Sequence, residues 1–567
     1  MPHRKVFFLL FLMFFFLNAS SFCQEENFEL VLDISSKTRP KPQVLKANID
    51  LSGRGSHSDI SWPKNLAARE AVESWKKDIG FANTFRLQYN LWEISQLAKN
   101  KEQQDKLLSN YEEIIKNISE AGGQVILDIY GAPAGMGKVL DKRSAAINIP
   151  AFKALLKETM QRLSCEKKYK VLYELWSGTD LPDFYIGSRQ EYFNMYKALA
   201  ESARELKAQY KVEIPVGAPA SSNWFHNLED NTILYPEKSL IYEFIKFSAA
   251  SGLPIDFISW HSYTSDPKAD SETTIYNKNI AALIRDWLSY FNFSKNTPLI
   301  ISEWNFDQNV NILPARRNRS FVAASFIPAR IKSMSESGID NQVYFALEDF
   351  QNNPENVSRN LGAFYFDSES AHYKGGPKTI FNVFLMLNML GGEVFSVKLN
   401  DEFAGAIASK TSEGAAILIY NYIDPDISRN YISRNISTLN PSDRQFMVNI
   451  IRTGQFKKII SGEQDVSSFR SRPKVLALLN KAQDLYSKSV GFKINSRTLK
   501  INLKGISGDY SYTRYMIDSS CGLTNDFKPV EEKAISATQE GYQEDLKITP
   551  YSVNLVILKK KPVANGQ

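Results

Sequence analysis

Several short apolar runs of this sequence end in residues able to do chemistry. Arg86 lies in the run 83–88 and Asp128 in 124–130. The run 171–176 ends at Trp176 and continues as Ser177, Gly178, Thr179 and Asp180. His261 and Tyr263 close 257–263, Glu303 and Trp304 close 298–304 with Asn305 next, and Glu348 and Asp349 follow 342–347. Carboxylates, a guanidinium, an imidazole, a phenol and indoles gathered on one rim suit cleavage of a glycosidic bond. That reaction needs one carboxylate to attack or stabilise the anomeric carbon and an acid to protonate the departing oxygen. Trp176, Trp224, Trp260 and Trp304 offer faces on which sugar rings stack, Trp260 being the most core-like. The five His are scattered without ligand spacing and no Cys cluster exists, so neither a metal nor another cofactor is expected.

These residues share a rim only if the runs carrying them are parallel strands. Runs 44–51, 83–88, 124–130, 171–176, 213–218, 257–263, 298–304 and 342–347 read as buried strands. Amphipathic stretches such as 110–121, 149–163 and 190–210 fall between them. This α/β alternation predicts a (β/α)8 TIM barrel over 44–391, with its chemistry at the C-terminal strand ends. A doubly wound open sheet is disfavoured, because no Gly-rich phosphate loop follows any strand. Over 392–567 the texture changes. Runs 404–408, 415–422, 446–452, 498–503, 510–517 and 553–559 read as short strands of a β-sandwich, interrupted by a helix near 473–489. An early strand, 28–34, within an N-terminal segment 24–43, is expected to pair into that sandwich.

His3, Arg4 and Lys5 precede twelve uninterrupted apolar residues, Val6 to Leu17, and then the small residues Ala19, Ser20 and Ser21. The pattern predicts a signal peptide over 1–23, cleaved before Gln24, and a secreted or periplasmic protein. Acylation of Cys23, the mark of a lipoprotein, is the lesser reading because Phe22 is bulky for that processing site. The apolar stretch is shorter than the roughly 20 residues that span a bilayer, so no membrane span remains after cleavage. The net charge of +6, from 68 basic and 62 acidic residues without a basic run, excludes nucleic acid as a partner and tolerates an acidic polysaccharide. Hydrophobic residues at 43% and charged ones at 23% exclude wholesale disorder and a multi-span membrane protein. Cys165 and Cys521 form no disulfide framework, and neither has a His nearby in sequence to make it a nucleophile.

An ordered set of segments resembles glycoside hydrolase family 39. Pro298 to Asn305, reading Pro-Leu-Ile-Ile-Ser-Glu-Trp-Asn, is similar to that family's nucleophile strand. Phe257 to Tyr263 resembles its sixth strand and Val216 to Ala220 its fifth. Tyr173 to Trp176, followed by Phe184, Tyr185, Gly187 and Glu191 to Phe193, resembles its fourth strand and the next helix. Leu361 to Phe364, Lys374 to Pro377 and Leu385 to Gly391 resemble the segment that closes its barrel. The resemblance implies a retaining glycosidase with Glu303 as nucleophile and a glycan as substrate. It also implies that Arg86 keeps Glu303 ionised and Tyr263 orients it, with Trp176, Ser177, His261 and Trp304 supporting the sugar site.

One departure stands out. The family's fourth strand ends Trp-Asn-Glu-Pro, its Glu serving as acid/base; the residues here are Trp176, Ser177, Gly178 and Thr179. A glycine transfers no proton. Asp180 is the first candidate to replace the acid, ahead of Asp183, Glu174, Glu348 and Asp349. Phe345 likewise stands where the family carries Trp on its eighth strand. Two alternatives follow: a catalytically silent barrel that binds glycan, or a glycosidase or transglycosidase with a non-standard acid. A xyloside, a uronic-acid-containing glycan and an exopolysaccharide all remain open as substrates.

Overall fold

The computed structural model describes residues 28–54, 59, 61–225, 235–306, 321–350, 361–366, 375–397, 399 and 401–562. The signal-like residues 1–23 lie outside them. Eight strands close into a barrel: β1 (Ile49–Asp50), β2 (Thr84–Asn90), β3 (Gln124–Tyr130), β4 (Val171–Leu175), β5 (Val216–Ser221), β6 (Phe257–Tyr263), β7 (Leu299–Asn305) and β8 (Asn341–Tyr344). Every neighbouring pair is parallel, and β8 closes the ring against β1. The expected fifth strand, 213–218, sits about half a strand later, at Val216–Ser221.

Side-chain alternation sorts each strand into an inner and an outer set. On β2, Phe85, Leu87 and Tyr89 join the large apolar cluster between strands and helices. Arg86, between them, faces the lumen. The floor of the lumen is apolar: Ile126, Phe257, Ile300 and Val343, from four strands, form one cluster with Leu172 packed against it. One layer nearer the C-terminal rim, the same inner rows of β3 and β4 carry Asp128 and Glu174.

Strand β7 breaks this parity. Its register with β6 shifts so that Trp260 pairs with Ile301 while His261 pairs with Glu303, and its register with β8 shifts over the same stretch. The extra residue is a β-bulge at Ser302. Ile300 faces inward, so an unbroken strand would turn Ser302 and Trp304 inward and Glu303 out. The bulge inverts that order.

Beyond the barrel, Pro529–Ala537, Gly508–Ile517, Ser552–Lys560, Gly414–Asn421, Ala404–Thr411, Glu393–Val394 and Arg39–Pro40 form, in that spatial order, an antiparallel sheet. A second sheet holds Phe28–Asp33, Arg497–Lys504 and Tyr542–Ile548, the first two running parallel. Leu30, Leu32, Leu499 and Ile501 pack against Ala406, Ile417, Ile419 and Val556 to make a core between the sheets. The opposite face of the larger sheet is also apolar. Its Ile407, Leu418, Tyr422 and Leu555 belong to the barrel's own cluster, so sandwich and barrel share a packed seam.

Two expectations for this region fail. Residues 446–452, expected as a strand, lie in the helix Pro441–Arg452, capped by the Asn440 side chain, with Pro441 in its first turn. Met447 and Ile450 bury one face of it, a helical spacing hidden by the dense apolar run. With Gln455–Ile460 and Pro473–Phe492 it builds a small helical core of its own. The strands Pro529–Ala537 and Tyr542–Ile548 escaped detection because their outer faces are charged, as in Glu531-Glu532-Lys533 and Glu544-Asp545. Among the described residues, no helix is long and apolar enough to cross a membrane.

Candidate active site

Arg86 stands at the centre of the lumen and is 1% exposed. Its Nε donates to Glu174 Oε2 at 2.6 Å, and its Nη1 donates to Asp50 Oδ2 at 3.0 Å and to Glu303 Oε1 at 2.6 Å. Nη2 lies 3.0 Å from Asp128 Oδ2. Four carboxyls from β1, β3, β4 and β7 therefore share one guanidinium. Only a planar fork with donors on several edges can serve so many acceptors at once.

The four are not equivalent. Asp50, Asp128 and Glu174 have fully buried side chains, whereas that of Glu303 is 10% exposed, at the open end of the cluster. Above Arg86, Glu303 meets three further groups. Ser177 Oγ donates to its Oε1 at 3.0 Å and Tyr263 Oη to its Oε2 at 2.9 Å, while His261 Nδ1 lies 3.4 Å from Oε2. The bulge in β7 makes this possible by pointing Glu303 into the lumen.

Burial alone pushes the Glu303 carboxyl up. His261 when protonated, Arg86, and the hydrogen bonds from Tyr263 and Ser177 outweigh burial and hold it below the ordinary carboxylate value. Burial pushes the His261 imidazole down, so at neutral pH it carries no charge, and Arg86, Tyr263 and Ser177 are the groups left to favour the ionised form of Glu303. Burial and then the Glu303 charge push the Tyr263 phenol up, which leaves it a donor. An ionised carboxylate with its lone pairs steered by neighbours is equipped to attack an electrophilic carbon.

Below it the balance reverses. Burial, opposed by Arg86 but reinforced by Glu174, pushes Asp128 up to about 8, and burial pushes Asp50 up to about 6. Four negative charges against one positive charge in a dry lumen favour retention of a proton. The folded state thus holds protons that the unfolded chain releases near its ordinary value of 3.8. The stability this proton contributes is full below that value and is lost as pH rises towards about 8. Wild-type melting temperature should therefore fall between about pH 4 and pH 8 and level off above it, and Asp128→Asn, which is neutral throughout, should flatten that fall. Parallel melting curves for the two proteins across this range would exclude a proton held on Asp128.

The other expected residues divide. Trp176 and Trp304, expected to offer stacking faces to a sugar, are both fully buried. Trp304 is turned outward by the bulge, packs on Phe326 and Tyr344, and donates its Nε1 to Gln342. Trp176 packs between Tyr130 and Tyr185 and donates Nε1 to the Phe184 carbonyl at 3.1 Å. Both are supports, not platforms. Trp260 is fully buried as well. Phe345, the residue standing where the family carries Trp, stacks on Phe350 at 5.5 Å and lies edge-on at 6.3 Å to Tyr263, the hydrogen-bond partner of Glu303.

Asp180, the first candidate for a replacement acid, accepts from the Ser222 amide at 2.6 Å and the Ser222 hydroxyl at 2.5 Å. Its two oxygens tether the loop after β4 to the end of β5. Glu174 lies deep in the lumen on Arg86. Glu348 accepts from the amides of Arg54 and Ala68, both at 3.1 Å. Asp349 pairs with Lys378 at 2.7 Å, and Asp183 is exposed on the loop. Asp50, which sequence analysis does not single out, is the fourth carboxyl on Arg86.

The chain turns sharply between Trp176 and Gly178. Trp176 adopts φ 71°, a left-handed conformation that a bulky residue enters at a cost, and Gly178 adopts φ 62°. The Gly178 amide donates to the Ala220 carbonyl at 2.8 Å. A Cβ on Gly178 would meet the Phe184 side chain at 3.2–3.4 Å. Gly178→Ala should cost about 1–2 kcal/mol through the left-handed backbone alone, read as a lowered denaturation midpoint. Wild-type stability in that variant would mean the turn relaxes.

The sequence profile described as Glycosyl hydrolases family 39 matches residues 136–433. A curated relative, a β-xylosidase of Caldicellulosiruptor saccharolyticus, is 21% identical over 396 residues, covering 64% of this chain and 75% of the relative. Among solved structures, the GH39 enzyme of Xanthomonas axonopodis pv. citri superposes with a TM-score of 0.58 at 13% identity, covering 94% of this chain and 98% of that one. A glucosidase of Croceicoccus marinus superposes with a TM-score of 0.60 at 15% identity, covering 95% and 100%. At such identities the superpositions establish a shared fold.

Proposed function

This chain belongs to glycosyl hydrolases family 39, and from that premise we propose that it is a retaining glycosidase with Glu303 as its nucleophile. One observation carries the reading. Glu303 is the most exposed carboxyl of the Arg86 cluster, kept ionised and oriented by Arg86, Ser177 and Tyr263. Its carboxylate would attack the anomeric carbon and form a glycosyl ester, and water would then release the sugar with its configuration retained. Tyr263, donating to Oε2, fixes which oxygen attacks. The neutral His261 beside it stays available to a sugar hydroxyl without drawing charge from the nucleophile.

Because one relative bears the name β-xylosidase, a xyloside is the first glycone to try. The signal-like residues 1–23 support action in a secreted or periplasmic setting, on a glycan met outside the cytoplasm. A 2-deoxy-2-fluoro xyloside with a dinitrophenolate leaving group tests the nucleophile directly. The fluorine slows release of the glycosyl ester, so the label should stay on the protein and map to the peptide holding Glu303. Label on another carboxylate would displace Glu303. No label with any of the xylo, gluco, arabino or iduronate probes would remove the glycosidase reading.

A further inference from the structure

Apart from Asp183, which is exposed on the loop after β4, the candidate carboxyls at the described strand ends are already engaged. Asp50, Asp128 and Glu174 lie beneath it on Arg86, Asp180 is held by Ser222, Glu348 by backbone amides and Asp349 by Lys378. At Gly178, one residue past the Ser177 that touches Glu303, the chain carries no side chain, and the nearest group to that bare backbone is the Phe184 ring. Phe184 is 46% exposed.

It is not alone. The loop after β3 is bridged to the loop after β4 by Ser144 and Ile186, by the Ala145 amide to the Ile186 carbonyl at 2.9 Å and by the Ile186 amide to the Arg143 carbonyl at 2.8 Å. These two joined loops expose Val139, Leu140 and Ile147 as well as Phe184, with Leu140 81% exposed. Exposed apolar side chains gathered on one rim mark a contact surface for an apolar group.

We propose that the group leaving the anomeric carbon is aromatic: the substrate is the glycoside of a phenol, its ring seated on Phe184 beside Gly178. This rests on Glu303 as nucleophile. The chemistry fits a rim whose described strand-end carboxyls, Glu303 apart, are taken up by other partners. An alkoxide departs about as reluctantly as hydroxide, whose parent water ionises near 15.7. A phenol ionises near 10, as tyrosine does. That difference of roughly six units is the kind of barrier that a general acid, worth about 10²–10⁴-fold, otherwise lowers. In the first step a Glu303 oxygen forms the bond to C1 while the C1–O bond breaks and its electron pair leaves on the phenolate, which takes a proton from solvent. In the second, water bonds to C1, its proton passes to solvent, and the Glu303 carboxylate is released. Phe184 supplies a face for the ring, not a proton.

The experiment uses the full chain and, for whichever sugar gives turnover, three substrates: the phenyl glycoside, the cyclohexyl glycoside and the glycosyl fluoride. Phenyl and cyclohexyl are alike in size and differ in the basicity of the departing oxygen. The phenyl glycoside is expected to exceed the cyclohexyl glycoside in kcat/KM by at least about 10²-fold, the lower bound of what a general acid contributes. Phe184→Ala should lower the ratio of phenyl glycoside to fluoride kcat/KM roughly three- to tenfold, the worth of one aromatic contact, and Phe184→Tyr should restore it. Phenyl and cyclohexyl glycosides cleaved within about threefold of each other would reveal a working acid and overturn the proposal while leaving Glu303 as nucleophile. Equal effects of Phe184→Ala on phenyl glycoside and fluoride would overturn the seat on Phe184. Fluorides inert for every sugar would instead remove the nucleophile reading on which this one stands.

Discussion

Glu303→Ala is expected to lower turnover of an activated aryl glycoside by at least about 10⁴-fold, the scale on which loss of a nucleophile registers. The same variant should fold at least as well as the wild type. Glu303 is one of four carboxyls around a single guanidinium, and its charge pushes both Asp128 and Asp50 up. Removing it relieves repulsion and leaves Arg86 with Asp50, Asp128 and Glu174 as partners. A melting temperature equal to or above the wild-type value, together with lost activity, assigns the effect to chemistry and not to unfolding. Azide sharpens the result. Azide needs no base to attack a glycosyl ester, so wild-type protein should release glycosyl azide of retained configuration, and Glu303→Ala should release none of that anomer. Retention of more than a tenth of the wild-type rate would end the nucleophile assignment.

Much of this site was legible as residue types at strand ends, because alternation and strand length are local properties of sequence. Arg86, Ser177, His261 and Tyr263 were expected near Glu303, and the structure brings all four against it. The orientation of Trp304 was not legible. It depends on one extra residue in β7, and a bulge is set by pairing with β6 and β8, which no local pattern records. Asp50 was hidden for a related reason. Its strand contributes two paired residues to the barrel, too few for alternation to stand out. The helix Pro441–Arg452 was misread because its apolar residues crowd together, and only the Asn440 cap and Pro441 betrayed the helical start. What the sequence did carry without ambiguity is the absence of a side chain at position 178. The consequence of that absence became arguable once Phe184 and Asp180 could be placed around it.

Arg86→Met is expected to be the most damaging single change to the fold. Removing one partner from a buried ionic cluster costs about 3–5 kcal/mol because the remaining charge is left uncompensated. Here four carboxyls would face one another with no cation among them. Domains of ordinary stability hold about 5–15 kcal/mol, so the variant should sit near the edge of folding. The sign of its pH dependence follows from the direction of the shifts. Asp128 and Asp50 are already pushed up with Arg86 present, and Arg86 acts to lower both. Without it the folded state holds still more protons, so the stability lost as pH rises becomes larger. The melting deficit of Arg86→Met against wild type should accordingly be small near pH 5 and large at pH 8, roughly 6–20 °C at about 2–4 °C per kcal/mol. Arg86→Lys separates charge from shape. An ammonium keeps the positive charge but cannot serve four carboxyls along the edges of a plane. It should recover part of the melting temperature at pH 8 and little of the activity, since Glu303 loses the donor that fixes Oε1. A deficit for Arg86→Met that is the same at pH 5 and pH 8 would mean that packing of the long side chain, and not its charge, is what the barrel requires.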